Sequence, residues 1–249
     1  MKIAYIAAAL ALTSVTILYI LLQSSPGALY ILSNTAGPAF SLVPLLLVLY
    51  ALTKQNLSFI KSARWLAFGF LLWSLGEVTY SFYALVLGVA IPFPSIADFF
   101  WLAGYPLVLV GMAVFLLQFR FAITRRSLSI ALGVSTAATG LIAVFLVIPV
   151  TSISSDLMSN IIGLAYPIMD IALLYAPIVG MLLFRGGKLS QGWYWLALGA
   201  ILFGFADILF SYLTAIGTYY SGHPLDVLYA CGYICYGLSL CSQLKTFQG

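Results

Sequence analysis

Residues 65–81 read WLAFGFLLWSLGEVTYS, and residues 195–211 read WLALGAILFGFADILFS. The second stretch repeats the first at one constant offset. The matched positions are Trp65 and Trp195, Ala67 and Ala197, Gly69 and Gly199, Leu72 and Leu202, Ser81 and Ser211, and the acids Glu77 and Asp207. Such a repeat in an apolar chain indicates that one membrane-embedded unit was duplicated, and it directs the search for a site to the axis between the copies.

The repeat extends on both sides of these stretches. Downstream, PSIADFFWLAGYPL at 94–107 matches HPLDVLYACGYICY at 223–236. The paired residues there are Asp98 with Asp226, Gly104 with Gly232, and Tyr105 with Tyr233. Upstream, AGPAFS at 36–41 matches AYPIMD at 165–170, which pairs a serine with Asp170. The similarity therefore covers parts of three consecutive apolar segments in each half.

The composition indicates a membrane protein. Hydrophobic residues make up 63% of the 249 residues and charged residues only 6%, whereas soluble domains carry about 25% charged residues. The chain is therefore predicted to be an all-α, polytopic membrane protein with eight transmembrane helices and no domain-sized soluble segment. Apolar runs of about 20 residues, the length that spans a bilayer, occur at 3–22, 29–53, 65–89, 98–119, 128–150, 158–184, 193–217 and 225–244.

The spacing of the copies predicts how they are related. Four spans separate them, so both copies enter the membrane in the same sense, which predicts two parallel tandem four-helix repeats at 1–120 and 121–249. The first and fifth spans show no convincing similarity. For residues 3–22 the alternative is a cleaved signal peptide, but the apolar run is long and lacks a small-residue cleavage site, which favours a retained helix.

The basic residues predict the orientation. All ten lie before the first span, after the eighth, or in connections that follow even-numbered spans: Lys2, Lys54, Lys61, Arg64, Arg120, Arg125, Arg126, Arg185, Lys188 and Lys245. The positive-inside rule makes this face cytoplasmic. We therefore expect a multi-pass protein of the cell (inner) membrane with both termini in the cytoplasm (N-in/C-in). The net charge of +4 is then a topology signal and does not indicate nucleic-acid binding.

Three acids fall near the middle of predicted spans: Glu77, Asp170 and Asp207. A charged acid at the bilayer centre costs at least about 2.5 kcal/mol, so these side chains are expected to face the interior of the bundle. They are either protonated groups that join helices through hydrogen bonds or part of a ligand-binding or proton-linked site between the halves. Ser81 and Ser211 lie one turn after two of the acids, where the alternative is a bond to the preceding turn's carbonyl.

Aromatic residues are numerous, with 16 Tyr and 5 Trp. Tyr105, Tyr166 and Tyr233 lie within the repeated motifs and are expected to line the interior, which fits an apolar or flat ligand and fits tight packing equally well. Another group lies near span ends and predicts interfacial belts: Tyr5, Tyr19, Trp101, Trp193, Tyr219 and Tyr220.

Asp98, Asp226 and His223 lie at or near the starts of spans on the face opposite the basic residues. Ser95 and Asp98 resemble a capping box, and an acid in the first turn favours the positive end of the helix dipole. The alternative is an outer rim of a ligand site, with His223 as a pH-responsive member.

Several chemistries are disfavoured by what the sequence lacks. Every Lys lies at a span end or in a connection, which argues against retinal, and a single His rules out bis-His haem. No Walker loop and no HExxH motif occurs. We therefore predict no catalytic residues, no metal ligands and no cofactor.

Three segments resemble a known module: PSIADFFWLAGYPL (94–107), AYPIMDIALLYA (165–176), and FADILFSYL with GHPLDVLYACGY (205–213 and 222–233). They are similar to the eight-helix membrane sensory module that precedes diguanylate cyclase/phosphodiesterase and histidine kinase domains in prokaryotic signalling proteins. The resemblance covers roughly 65–111 and 160–240. It implies a sensory membrane domain in which Asp98, Asp170, Asp207, Asp226, Tyr105 and Tyr166 occupy the module's positions. The sequence carries no output domain after the eighth span, so signalling would need a partner.

Three functions compete. The first is a sensory or accessory subunit that binds a small or lipidic ligand within the bundle and acts through a cytoplasmic or membrane signalling partner. The second is a proton-linked transporter of a weakly polar substrate, with Glu77 and Asp207 at the midplane. The third is an intramembrane lipid hydrolase similar to the eight-span lysoplasmalogenases, in which buried acids activate water.

Overall fold

The computed structural model describes residues 1–54, 59–89, 91–142 and 157–248, and all regular structure in them is helical. The eight α-helices of this part are α1 (Lys2–Leu21), α2 (Pro26–Thr53), α3 (Ile60–Ser81), α4 (Ile96–Leu117), α5 (Arg125–Ile142), α6 (Leu157–Leu183), α7 (Ser190–Ala215) and α8 (Asp226–Gln248). A π-helical turn, Phe82–Leu87, continues α3. This turn ends at Gly88, whose φ of 61° only glycine adopts without strain.

Seven of these helices are long and apolar enough to cross a membrane, as expected for a multi-pass membrane protein. The eighth, α5, does not qualify over Arg125–Ile142, and residues 143–150 of the predicted fifth span lie outside the described residues. The helix that contains the start of the predicted third span, 65–89, begins earlier in the chain, at Ile60. Lys61 and Arg64 interrupt the apolar run without ending the helix.

Six helices form a closed ring. In order around it lie α2, α3, α4, α6, α7 and α8, and each packs against the next, with α8 returning to α2. Outside the ring, α1 lies against α8 and α5 against α6. The membrane-crossing segment of α8 is the most buried of the seven, and that of α1 is the most exposed.

Glycines let two pairs of ring helices approach closely. A Cβ atom on Gly104 of α4 would lie 2.4 Å from the indole of Trp73 on α3, and a Cβ on Gly232 of α8 would lie 2.4 Å from the ring of Phe203 on α7. Both distances are far inside van der Waals contact, so only glycine fits. Small residues allow such close packing where there is no water to drive helices together.

The segments that connect the helices lie at two ends of the bundle. At one end, which we name the basic end, Phe59 packs on Phe247 with ring centroids 5.2 Å apart, and Tyr5 packs on Trp195. At the other, the mouth end, the Tyr220 hydroxyl donates to the Gln23 side chain at 3.2 Å. Because successive spans alternate in direction, all ten Lys and Arg lie at or near the basic end.

Candidate functional site

A cavity of about 870 Å³ lies inside the ring and reaches the connecting segments of the mouth end. All six ring helices contribute to its wall. The acidic and amide residues of the wall are Asn34, Glu77, Asp98, Asn160, Asp207 and Asp226. The other predicted site residues on the wall are Ser81, Tyr105, Tyr166, Ser211 and Tyr233.

The deep end of the cavity rests on aromatic rings. Trp73 and Phe203, which occupy matched positions of the repeat, stack with their centroids 5.6 Å apart and their planes 24° apart. Tyr236 packs against both rings. Glu77 and Asp207 lie one helical turn from this stack toward the mouth end, about 6 Å along each helix.

Glu77 is bound by the other half of the chain. Its Oε1 accepts a hydrogen bond of 2.8 Å from the Tyr233 hydroxyl on α8. Its Oε2 lies against Gly37 of α2, where a Cβ atom would be only 2.3 Å away. The carboxyl group therefore occupies the space that a side chain at position 37 would need.

Asp207 and Asp170 share one hydroxyl. The Tyr105 oxygen lies 2.8 Å from Oδ1 of Asp170 and 3.1 Å from Oδ2 of Asp207, while Tyr229 donates to Oδ1 of Asp207 at 2.7 Å. A phenol carries a single hydrogen and donates once. The two distances therefore describe one donor between two acceptor oxygens.

The Ser81 hydroxyl pairs a backbone carbonyl oxygen of α2 that a proline leaves without its helical donor. Pro38 has no N–H, so the carbonyl oxygen of Asn34 loses its normal helical partner. The Ser81 hydroxyl bonds this oxygen and also lies 2.9 Å from the carbonyl oxygen of Glu77, one turn earlier on its own helix. Ser211 lines the cavity without a hydrogen bond to any described residue.

Asn34 belongs to the cavity wall, but its side-chain oxygen is buried within the protein. The residue is 2% exposed, and its Nδ2 donates to the Tyr30 carbonyl oxygen at 2.8 Å. Its Oδ1 has no hydrogen-bond partner within the described part of the chain. Leaving such an atom unpaired costs about 1–3 kcal/mol.

Asp98 both caps a helix and forms part of the wall. Its Oδ2 accepts from the Ser95 backbone N–H at 2.7 Å and from the Ser95 hydroxyl at 2.8 Å, at the start of α4. Its Oδ1 accepts from the Tyr166 hydroxyl of α6 at 2.8 Å. The predicted capping interaction and the predicted rim position therefore apply to the same carboxyl group.

Asp226 has the corresponding place at the start of α8. Its Oδ2 accepts from the Ser33 hydroxyl at 2.8 Å and from the Gly222 backbone N–H at 2.9 Å. The Tyr219 hydroxyl donates to Oδ1 at 3.2 Å. Burial, followed by the negative charge of Asp226, raises the pKa of Tyr219, which keeps this phenol protonated as a donor.

His223 lies beside the cavity, not on its wall. Its Nδ1 accepts from the Leu225 backbone N–H at 3.2 Å, and its ring packs between those of Tyr219 and Tyr220. The predicted rim of three residues thus has two members on the wall.

The wall carries no Lys or Arg among its described residues. No group of three or more His, Cys, Asp or Glu residues in the described ranges is placed to hold a metal ion. The wall chemistry consists of carboxyl groups, phenols, hydroxyls, amides and aromatic rings.

Sequence reasoning missed several wall residues, namely Tyr30, Ser33, Asn34, Phe203 and Tyr229. The signal for Asn34 was available, because it precedes Pro38 by four residues. The belt prediction was wrong for Trp193 and Tyr19, which are 1% and 3% exposed. Position near a span end does not reveal which side of the helix a residue occupies.

Comparison with known proteins found no matching family model, no similar curated protein and no similar solved structure.

Proposed function

We propose that this chain is an integral membrane sensory or accessory subunit that binds a small ligand inside the helix ring and acts through a partner protein. The observation that carries this proposal is the cavity of about 870 Å³ with Glu77 and Asp207 near its deep end. Its size is that of sites for drug-sized molecules, which are mostly apolar and carry a few placed polar groups.

The proposal includes an internal repeat of two parallel halves. Its support is that matched residues make matched contacts across the ring. Tyr105 bonds the acid Asp207 of the second half, and Tyr233, its counterpart, bonds the acid Glu77 of the first half. A molecule that binds between these acids would contact both halves and would alter how they pack.

The ring helices connect the cavity to the proposed partner surface. Helices α3, α7 and α8 run from the cavity wall to the basic end, where Arg64 and Lys245 lie in the ends of α3 and α8 and Arg185 and Lys188 lie in the loop before α7. The positive-inside rule places this end in the cytoplasm. A change in helix packing at the cavity would be transmitted to the basic end, where a partner would detect it.

Native mass spectrometry of the detergent-purified protein tests the binding function. We expect the wild type to retain a small molecule or lipid that the Glu77→Gln/Asp207→Asn double variant loses. Ser62→Ala serves as the matched control, because it removes a buried hydroxyl that bonds Gly111 away from the cavity wall, and it should retain the molecule. Identical spectra for wild type and double variant would refute the proposal.

A proton-linked transporter is the second candidate. The shared hydroxyl between Asp170 and Asp207 favours it, since a proton held there moves when either acid is released. Transport would require flux into proteoliposomes that depends on a pH gradient and is lost in Asp207→Asn. A binding subunit would retain the same ligand and show no such flux.

A further inference from the structure

The cavity wall has more hydrogen-bond acceptors than its own donors use. Hydroxyl groups of Tyr105, Tyr166, Tyr229 and Tyr233 already donate to wall or adjoining carboxyl groups. A carboxylate accepts about four hydrogen bonds, so lone pairs remain on every one of these acids.

The charge of the wall, like its surplus of acceptors, favours a ligand that carries hydrogen-bond donors. Four carboxyl groups, those of Glu77, Asp98, Asp207 and Asp226, line the cavity, and no Lys or Arg lies among its described lining residues. Buried anions are stable when they are protonated or paired with a cation. The chain holds its own cations at the opposite end, so pairing must come from protons or from the bound molecule.

The apolar part of the wall is aromatic. Trp73, Trp101 and several tyrosines surround the acids. Aromatic faces attract cations, and this attraction strengthens when the cation is removed from water. Acids that alternate with aromatic rings therefore favour a molecule with a positive charge on an apolar body.

We propose that the ligand of this cavity is an apolar organic cation with a protonated amine, which pairs with the carboxyl groups of Glu77 and Asp207. This inference rests on the proposed binding function and names its ligand class. The N–H groups of the amine would donate to the lone pairs that remain on these carboxyl groups.

Three matched probes test the proposal: 2-naphthylethylamine, 2-naphthaleneethanol and 2-naphthaleneacetate, which share one aromatic body and carry a cation, a neutral hydroxyl and an anion. Binding to the full-length protein in detergent is measured by isothermal titration calorimetry. We expect the amine to bind about tenfold more tightly than the alcohol or better, since a desolvated cation gains from both acids and rings. The acetate should bind more weakly than the alcohol.

Variants locate the amine. Glu77→Gln and Asp207→Asn each keep the shape of the side chain and remove its charge. Each should weaken amine binding by about tenfold, consistent with the loss of a charge-assisted hydrogen bond, and leave alcohol binding nearly unchanged. Ser62→Ala, away from the cavity wall, should bind all three probes as the wild type does. The second variant keeps the test valid if the first does not fold.

The outcomes distinguish a failure of this inference from a failure of the proposed binding function. If the alcohol binds as tightly as the amine, or if neither cavity variant weakens the amine, the ligand class is wrong. If no probe binds while native mass spectrometry still finds a molecule that the double variant loses, the class is wrong and the binding function stands. If no probe binds and no molecule is retained, both are refuted.

Discussion

At Tyr105, one phenolic hydrogen faces the carboxyl groups of two different helices. Asp170 on α6 and Asp207 on α7 are held together through this oxygen at 2.8 and 3.1 Å. Without the phenolic hydroxyl, these two buried carboxyl groups would face each other and would lose a hydrogen-bond donor. The hydroxyl of Tyr105 therefore joins α4 to both α6 and α7.

Substitution of Tyr105 by Phe tests this role. We expect Tyr105→Phe to destabilise the protein by about 1–3 kcal/mol, the cost of leaving buried acceptors without their donor. The matched control is Tyr236→Phe, because the Tyr236 hydroxyl is fully buried and lacks a partner among the residues described. The control should be neutral or stabilising in thermal unfolding in detergent. Equal losses in the two variants would contradict the assignment.

Residue-level prediction succeeded where a pattern marked the position and failed where only a contact defines it. The repeat singled out Tyr105 and Tyr233 as interior residues, and both are buried on the cavity wall. Their partners lie 102 and 156 positions away in the chain. The repeat matches distant positions, but a single sequence does not show which distant residues come into contact, so the bonds themselves were not predictable.

At the scale of helices, proline defines how α2 and α3 are joined. Pro38 leaves the Asn34 carbonyl oxygen without a helical donor, and the Ser81 hydroxyl of α3 takes that place. A defect in one helix thus becomes a contact between two. The same region carries the side chain of Asn34, so the defect also shapes the cavity wall.

A double-mutant cycle tests the link between this proline and this serine. Ser81→Ala leaves the carbonyl unpaired and should cost about 1–3 kcal/mol. In a Pro38→Ala background the restored N–H pairs that carbonyl within α2, so Ser81→Ala should then cost much less. Ser211→Ala, which removes a hydroxyl with no bond to described residues, should be nearly neutral in both backgrounds. Thermal unfolding in detergent provides the values, and additive losses would show that no link exists.

Element boundaries followed from the sequence only in part. Apolar runs located all eight helices, because each must pair its own backbone groups in an apolar medium. The start of α3 lies before the predicted span, since hydropathy detects residues within the bilayer, while Ile60–Arg64 extends the helix into the basic end. The π-helical turn at Phe82–Leu87 has no sequence signal that we recognise.

At the scale of the whole molecule, the basic and mouth ends differ in charge. All ten Lys and Arg lie toward one end, and the cavity reaches the other. The positive-inside rule predicts that the basic end is cytoplasmic and that the cavity opens outward. In this predicted orientation, a ligand from outside the cell would reach the acids without passing the basic end.

Cysteine labelling in cells tests this orientation. In a background where Cys231, Cys235 and Cys241 are replaced by Ala, Thr218→Cys at the mouth end should react with a membrane-impermeant maleimide. Lys188→Cys at the basic end should react only after the cells are permeabilised. Both positions are exposed, so a difference in labelling between them reports the side of the membrane on which each residue lies and not its burial. The reverse pattern would place the cavity toward the cytoplasm.

The sequence by itself determined the helical class, the apolar segments and the separation of charge between the ends, and it predicts the paired positions of an internal repeat. These follow from local physical requirements. In lipid every backbone N–H and C=O group must be hydrogen-bonded within its helix, and a charged side chain is costly there. The spacing of matching residues gives the paired positions. Only the tertiary structure decided that six helices close into a ring, that Asp98 and Asp226 share one cavity with Glu77 and Asp207, and that Asn34 lines it. Those outcomes depend on the angle at which each helix crosses its neighbours and on its rotation about its own axis. Packing between different helices, such as Trp73 on Gly104, sets these angles.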